Sequence, residues 1–182
     1  LAAQNLHFLD QATDLLEAVD DSRYTSKDSH GHSSIGSHLR HVLDAYRCFL
    51  SGLEDGRVDY DARQREPAIE VSRSAALARI REVRGHLAEL NERDRPRLLK
   101  VRADAAAWGE VDAWTDSTLG RELHFLLSHT VHHFALIAMT LRGLDFEPGK
   151  GFGVAPSTLE HRGAEAAEKP GVEAREAAPC AR

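Results

Sequence analysis

The chain has 182 residues, of which 42% are hydrophobic and 29% are charged, as is typical of a soluble globular domain. Its formal net charge of -6 argues against a general nucleic-acid binder, because phosphate contacts need a concentrated basic surface. No apolar run reaches the roughly 18 residues of a membrane-spanning helix, and two distant cysteines, Cys48 and Cys180, do not form a disulfide framework. We therefore expect a cytoplasmic protein without nucleic-acid or membrane partners.

Three stretches in the first half of the chain repeat apolar residues at three- and four-residue steps, which predicts three helices. The first covers residues 2–19. The second is capped by Ser33 or Ser34 and continues to about residue 50. The third covers residues 68–91 and is closed off by Pro96. The segments between these helices are rich in polar residues and glycine and are predicted loops.

The pattern changes after Pro96. "RLLKVRAD" and "GEVDAWTD" are short and partly alternating, which predicts a small β-hairpin or extended segment. Asp116 or Ser117 then caps a fourth helix that continues to residue 142 and is ended by Gly143. Residues 158–182 are rich in alanine and glutamate and are expected to be disordered. The fold class predicted for residues 1–157 is all-α, a four-helix bundle with a short hairpin between helices three and four.

Four histidines stand in "RELHFLLSHTVHHFALIAM", within the fourth predicted helix. His129 and His133 border its apolar stripe on one side, whereas His124 and His132 point away from it. Two imidazoles at i and i+4 are close enough to hold one metal ion. The pair alone is a weak signal, because 11 histidines in 182 residues produce on average somewhat less than one such pair by chance, so one pair is no surprise. A third ligand is needed.

The second predicted helix offers two candidates for that ligand in "SIGSHLRHVLDAY". His38 flanks the apolar face directly, and His41 lies further round the helix, nearer its edge. Helix geometry alone favours His38 and leaves His41 open.

"SSIGSHLRHVLDAY" followed by "STLGRELHFLLSHTVHHFALIAM" resembles the DinB-like superfamily of four-helix-bundle proteins over about residues 1–157. Members carry one metal-ligating histidine in helix two, followed three residues on by aspartate, and two more in helix four as HxxxH. The resemblance therefore implies His41, with Asp44 at the +3 position, together with His129 and His133 as the metal ligands.

The sequence departs from the family pattern at two positions. Ser33 stands where many members have tryptophan, and Phe134 replaces the arginine of a frequent HHRGQ continuation. Both departures weaken the transfer of a particular activity more than they weaken the fold.

Three neutral imidazoles would leave a bound ion its full charge and, in tetrahedral geometry, one open position. Such an ion acts as a Lewis acid on water or a thiol. Imidazole ligands suit zinc, nickel, iron and copper alike, and zinc or nickel is the expected ion, with iron as the third choice. Glu122, two turns before His129, is the candidate catalytic proton acceptor, or it pairs with an arginine such as Arg121 or Arg40. Asp44 either orients His41 or His38, or is a solvated carboxylate. Cys48 is a soft ligand or a small buried thiol.

Three functions remain open at this stage. The resemblance implies a metal-dependent enzyme, either a transferase or isomerase that uses a low-molecular-weight thiol such as mycothiol or bacillithiol, or a hydrolase. Its partner would be a small electrophilic substrate. The alternative is a non-catalytic metal- or ligand-binding protein of a stress response. A third hypothesis is a structural bundle with incidental histidines that forms a homodimer.

Overall fold

A computed structural model of the chain describes residues 1–27, 31, 33–103 and 113–161. In chain order its α-helices are α1 (Ala2–Ala18), α2 (Asp21–Thr25), α3 (Ile35–Gly52), α4 (Pro67–Val71), α5 (Arg73–Ala88) and α6 (Leu119–Gly143). The strands are β1 (Arg57–Asp59), β2 (Leu98–Arg102) and β3 (Thr115–Thr118), and a 3-10 turn covers Glu92–Asp94. None of the helices in the described ranges combines the length and apolar character that crossing a membrane requires.

The four long helices form the predicted bundle. α1 packs against α5 and α6, and α3 packs against the same two helices, so that each long helix has two long neighbours. Each helix directs its apolar stripe into one shared core. In α6 the residues of the apolar stripe are all buried: Leu119, Leu123, Leu126, Thr130, Ile137 and Leu141. The prediction of a mostly helical four-helix bundle is therefore confirmed.

The prediction of one continuous third helix is wrong near its start. The chain breaks at Ser72, whose side chain accepts a hydrogen bond from the backbone N–H of Ala75 and so caps α5. The residues before the break form the separate helix α4, and Val71, an apolar position of the predicted helix, is 70% exposed. Apolar spacing could not show this break, because a serine within a periodic run is compatible with a continuous helix.

The predicted hairpin is present, but it belongs to a larger sheet. β2 and β3 pair antiparallel, with Leu98 opposite Thr118. β1 lies in a predicted loop and adds a third strand parallel to β2, with Arg57 opposite Lys100. The predicted caps Asp116 and Ser117 are residues of β3, and Thr118 is the residue that caps α6. A three-residue strand is too short to show the period-two pattern that identifies strands in a sequence.

The start of α3 is fixed by a capping box and by a close contact with α4. The Ser34 hydroxyl accepts from the N–H of Ser37, and the Ser37 hydroxyl accepts from the N–H of Ser34. At Gly36 an added Cβ would lie 2.1 Å from the carbonyl oxygen of Glu70, so only glycine fits. These contacts set the position of the helix that carries His38 and His41.

A buried hydrogen-bond network joins α1, α3 and α6 through the core. The Tyr46 hydroxyl donates to Oδ1 of Asn5 at 2.7 Å and lies 3.1 Å from the Thr130 hydroxyl. Asn5 also donates to the carbonyl oxygen of Leu123 at 3.1 Å. Asn5, Tyr46 and Thr130 are all fully buried. Because a buried polar atom without a partner costs free energy, this network favours a single alignment of the three helices.

We expect Tyr46→Phe to lower the free energy of unfolding by about 1–3 kcal/mol, because Oδ1 of Asn5 loses its donor in the core. Urea unfolding followed by far-UV circular dichroism measures the change. Thr25→Val removes an exposed hydroxyl and is the control, with an expected change of less than about 0.5 kcal/mol. Equal stabilities of Tyr46→Phe and the wild type would contradict the importance of the network.

Candidate metal centre

Three histidines from two neighbouring helices converge on one point. His41 on α3 and His129 and His133 on α6 each offer a ring nitrogen, and these nitrogens all lie within 4.8 Å of one another. The ring centroids of His129 and His133 are 4.6 Å apart, and the His41 centroid lies 4.8 and 4.7 Å from them. The cluster contains the three residues that the resemblance implies, and it fits a metal-binding site.

The packing of α3 against α6 places these side chains at the seam between the two helices. His129 and His133 are one turn apart, so their rings lie on the same side of α6. Phe125, one turn earlier, stacks on the His129 ring with the ring planes 19° apart and the centroids at 5.7 Å. All three histidines are half-buried, between the apolar core and solvent.

Burial keeps these imidazoles neutral. Desolvation, with smaller contributions from the neighbouring imidazoles, lowers the pKa of His129 to about 4 and that of His133 to about 3. Burial and the nearby Arg63 also lower the pKa of His41. At neutral pH each ring therefore has a lone pair free of a proton, which is the form that binds a metal ion.

The donor set fits a divalent transition metal. Neutral imidazoles suit zinc, nickel and iron. Two nitrogens on one zinc ion lie roughly 3.3 Å apart, because each Zn–N bond is about 2.0–2.1 Å long. The His41 and His129 Nε2 atoms are 3.0 Å apart, so they are already close to that spacing. Nδ1 of His129 is buried without a hydrogen-bond partner in the described part of the chain.

His38 lies beside the cluster without belonging to the three-ligand group. Its Nδ1 is 3.0 Å from Nδ1 of His133, so one of the two rings donates to the other. This contact leaves Nε2 as the nitrogen that His133 can offer to an ion. A hydrogen bond to the second ring nitrogen is the usual way in which proteins orient a ligating histidine. His124 and His132 are exposed, as their positions on the helix predict.

Asp44 differs from both of its predicted roles. It is only 1% exposed, so it is not a solvated carboxylate, and its Oδ2 accepts from Arg40 at 2.9 Å rather than from a histidine. Burial raises the pKa of Asp44, although Arg40 opposes that shift. Arg40 also donates to Glu70 and so connects α3 to α4. An arginine one turn earlier on the same helix is therefore the partner that the sequence analysis missed.

The group that contacts Nδ1 of His41 is Arg63, at 3.0 Å. Arg63 stands in the segment between β1 and α4, which the sequence predicts only as a loop. No spacing rule connects it to His41, because only the tertiary fold brings the two residues together.

Glu122 is buried near the start of α6 and is fully engaged in hydrogen bonds. Its carboxylate accepts from Ser117 at 2.5 Å, from Tyr60 at 3.0 Å and from Arg121 at 3.2 Å. The pairing with Arg121 is the alternative that the sequence left open. The Tyr60 ring packs on Phe125, which in turn stacks on His129. The rings of Tyr60 and Phe125 therefore form a chain of contacts between Glu122 and His129.

Two further predictions concern residues away from the cluster. Cys48 is a half-buried free thiol whose pKa is raised by burial, and it is not a member of the three-ligand group. Phe134, at the position of the family arginine, is buried and stacks on Phe152 with the ring planes 7° apart. Cys180 and residues 162–182 of the expected disordered tail lie outside the described residues.

Comparison with curated proteins gives a relative for part of the chain. FK506-binding protein 5 of Rhizopus delemar is 33% identical over 106 residues, which are 57% of this chain and 27% of the relative. The chain thus spans about a quarter of that relative's length, and the similarity concerns one part of that protein.

Comparison with protein families covers both histidine-bearing helices. The family described as the DinB superfamily matches residues 7–137, more than half of the chain, and this range includes His41, His129 and His133. The helical bundle and the three-histidine cluster agree with that match. The chain belongs to the DinB superfamily.

Proposed function

We propose that this protein is a metal-dependent enzyme whose three-histidine site activates a thiol or a water molecule toward a small electrophilic substrate. The observation that carries the proposal is the composition of the ligand group, which among the described residues has three members, all of them imidazoles. Structural zinc sites are normally closed by four protein ligands, whereas catalytic sites use three and keep one position for water or substrate.

The contribution of the protein is to hold three neutral imidazoles in a fixed arrangement. A divalent ion held there would supply Lewis acidity and favour deprotonation of a water molecule or a thiol. Phe125 limits the rotation of the His129 ring, and His38 fixes the nitrogen that His133 keeps free. Zinc or nickel is the proposed ion, with iron as the third choice, and a low-molecular-weight thiol is the proposed co-substrate.

Glu122 is proposed as the proton acceptor of this reaction. Glu122 is a buried carboxylate on the helix that carries His129 and His133, and the Tyr60 and Phe125 rings connect it to His129; these observations support the proposal. Its three hydrogen bonds favour the alternative function, a non-catalytic metal- or ligand-binding protein of a stress response, because they already occupy the carboxylate oxygens that a transferred proton would have to reach. The alternative uses the same three histidines and needs no proton acceptor.

Metal binding provides the first test. We expect the wild-type protein, after incubation with zinc and desalting, to retain about one equivalent, measured by elemental analysis. His41→Ala, His129→Ala and His133→Ala should each bind zinc at least tenfold more weakly in competition with a chromophoric chelator, because each removes a ligand. His132→Ala, an exposed neighbour on α6, is the matched control and should bind as the wild type does. Wild-type retention below about a tenth of an equivalent would contradict the proposal.

Turnover provides the second test and separates the two functions. We expect the metal-loaded enzyme to convert an activated chlorinated aromatic substrate in the presence of a small thiol, and His133→Ala to abolish turnover with its circular dichroism spectrum unchanged. Glu122→Gln should lower kcat by about 100-fold if Glu122 accepts the proton. Tyr60→Phe removes one hydrogen bond to Glu122 and keeps the Glu122 carboxylate. This variant is therefore the control for packing effects. An unchanged kcat in Glu122→Gln would contradict its catalytic role.

The stability of the metal-free protein provides a third test. Because the pKa values of His129 and His133 lie below the ordinary value of 6.5, the unfolded chain binds more protons than the folded one between about pH 4 and 6.5. The free energy of unfolding should therefore be fully retained above pH 6.5 and fall as the pH is lowered, by up to about 1.4 kcal/mol per pH unit for each ring.

The double variant His129→Gln, His133→Gln keeps polar side chains that do not titrate in this range, and its stability should depend less on pH. Chemical unfolding in the presence of EDTA at pH 5, 6 and 7 measures both proteins. Parallel pH dependences would show that these two rings are not the buried neutral groups described above.

A further inference from the structure

Arg63 differs from the other partly buried arginines around the bundle. Its guanidinium donates to Nδ1 of His41 at 3.0 Å and, within the described part of the chain, forms no ion pair with a carboxylate. Other half-buried arginines on these helices and strands each have a carboxylate partner: Arg40, Arg47, Arg79 and Arg102. Among the described residues, Arg63 thus differs from these arginines in that its hydrogen-bond partner is a histidine of the candidate metal centre and not a carboxylate.

Arginines near the histidine cluster also act on its imidazoles. The charged groups that act on His41 are Arg63, Arg40, Arg65 and His38, and all of them lower its pKa. Arg63 also lowers the pKa of His129, whereas the groups that lower the pKa of His133 are neighbouring imidazoles. Arg40 is itself paired with Asp44 and Glu70, so Arg63 is the half-buried cation beside the cluster that forms no ion pair with a carboxylate among the described residues. A divalent ion would add its charge to that of Arg63, and the ligand that two neighbouring cations attract is an anion.

Hydrogen-bond chemistry connects Arg63 to metal binding. A guanidinium can only donate, so Nδ1 of His41 must accept, and the neutral ring carries its proton on Nε2. That proton is donated to Nε2 of His129 at 3.0 Å. Coordination through Nε2 of His41 requires the proton to move to Nδ1. Two donors would then face each other, and Arg63 would have to leave His41.

We propose that Arg63 binds the anionic oxygen group, a carboxylate or a phosphate, of the small molecule that occupies the site, and that metal binding releases Arg63 for this role. The inference rests on the proposed function, because it needs a metal ion on His41. The planar fork of a guanidinium pairs with two oxygens of either group, which lysine cannot do. The ligand or substrate of this site is therefore a small oxyanion-bearing molecule.

Cobalt(II) titrations test this with the full-length protein, because the visible spectrum of bound cobalt reports on ligands near the ion. The proteins are the wild type, Arg63→Gln and Arg65→Gln, a matched control that removes an exposed arginine from the same segment. Acetate, inorganic phosphate and neutral acetamide are the probes, at low ionic strength. We expect acetate or phosphate, but not acetamide, to shift the wild-type spectrum, with at least tenfold weaker binding in Arg63→Gln. Arg65→Gln should change that affinity by less than about threefold.

Arg63→Gln should bind the metal itself at least as tightly as the wild type does, and up to about tenfold more tightly. The reason is that the variant lacks the hydrogen bond that competes for His41 and the positive charge that repels the ion. Weaker oxyanion binding together with unweakened cobalt binding is a combination that a misfolded variant cannot produce.

The outcomes separate the two proposals. Equal oxyanion affinity in Arg63→Gln and the wild type, with cobalt bound to both, would overturn the role of Arg63 and leave the metal site intact. Loss of cobalt affinity in Arg63→Gln would also overturn it, because Arg63 would then support the site structurally. Failure of the wild type to bind cobalt would overturn the proposed function and this inference together. The oxyanion that shifts the spectrum distinguishes a carboxylate ligand from a phosphate ligand.

Discussion

The packing of α3 against α6 is the contact on which the candidate site depends, because each helix contributes only part of the ligand set. The same contact buries the imidazoles, and burial lowers the pKa values of His129 and His133 far enough to keep both rings neutral. The packing of α3 against α6 therefore both brings the histidine rings together and keeps them neutral. The Asn5–Tyr46–Thr130 network holds α1, α3 and α6 in one alignment through the core beneath the site.

The sequence predicts the elements of the fold that are long and periodic. The stripe from Leu119 to Leu141 identifies α6 and indicates which of its histidines border the core. The sequence does not predict the break at Ser72 or the strand β1, because a capping serine and a three-residue strand leave periodicity unchanged. For the third ligand, helix geometry alone favoured His38, and only the family resemblance pointed to His41, the residue that lies within the cluster.

Side-chain partners were the least predictable part of the site. Asp44 pairs with Arg40 rather than with a histidine, and Arg63 reaches His41 from a loop far away in the sequence. Such contacts depend on tertiary structure, which brings a loop residue to a helix without leaving a pattern in either segment. The two side chains that contact ligand histidines, His38 and Arg63, nevertheless have different effects. His38 contacts the ring nitrogen that His133 does not need for an ion, whereas Arg63 donates to Nδ1 of His41 and so favours the tautomer that carries its proton on Nε2.

The central claim is that His41, His129 and His133 coordinate one ion together, and X-ray absorption spectroscopy of the zinc-loaded protein tests it most directly. The account predicts a first shell of nitrogen or oxygen atoms at about 2.0–2.1 Å, with outer-shell scattering from three imidazoles that falls to two in His41→Ala. A spectrum dominated by sulfur, or one without imidazole scattering, would contradict it.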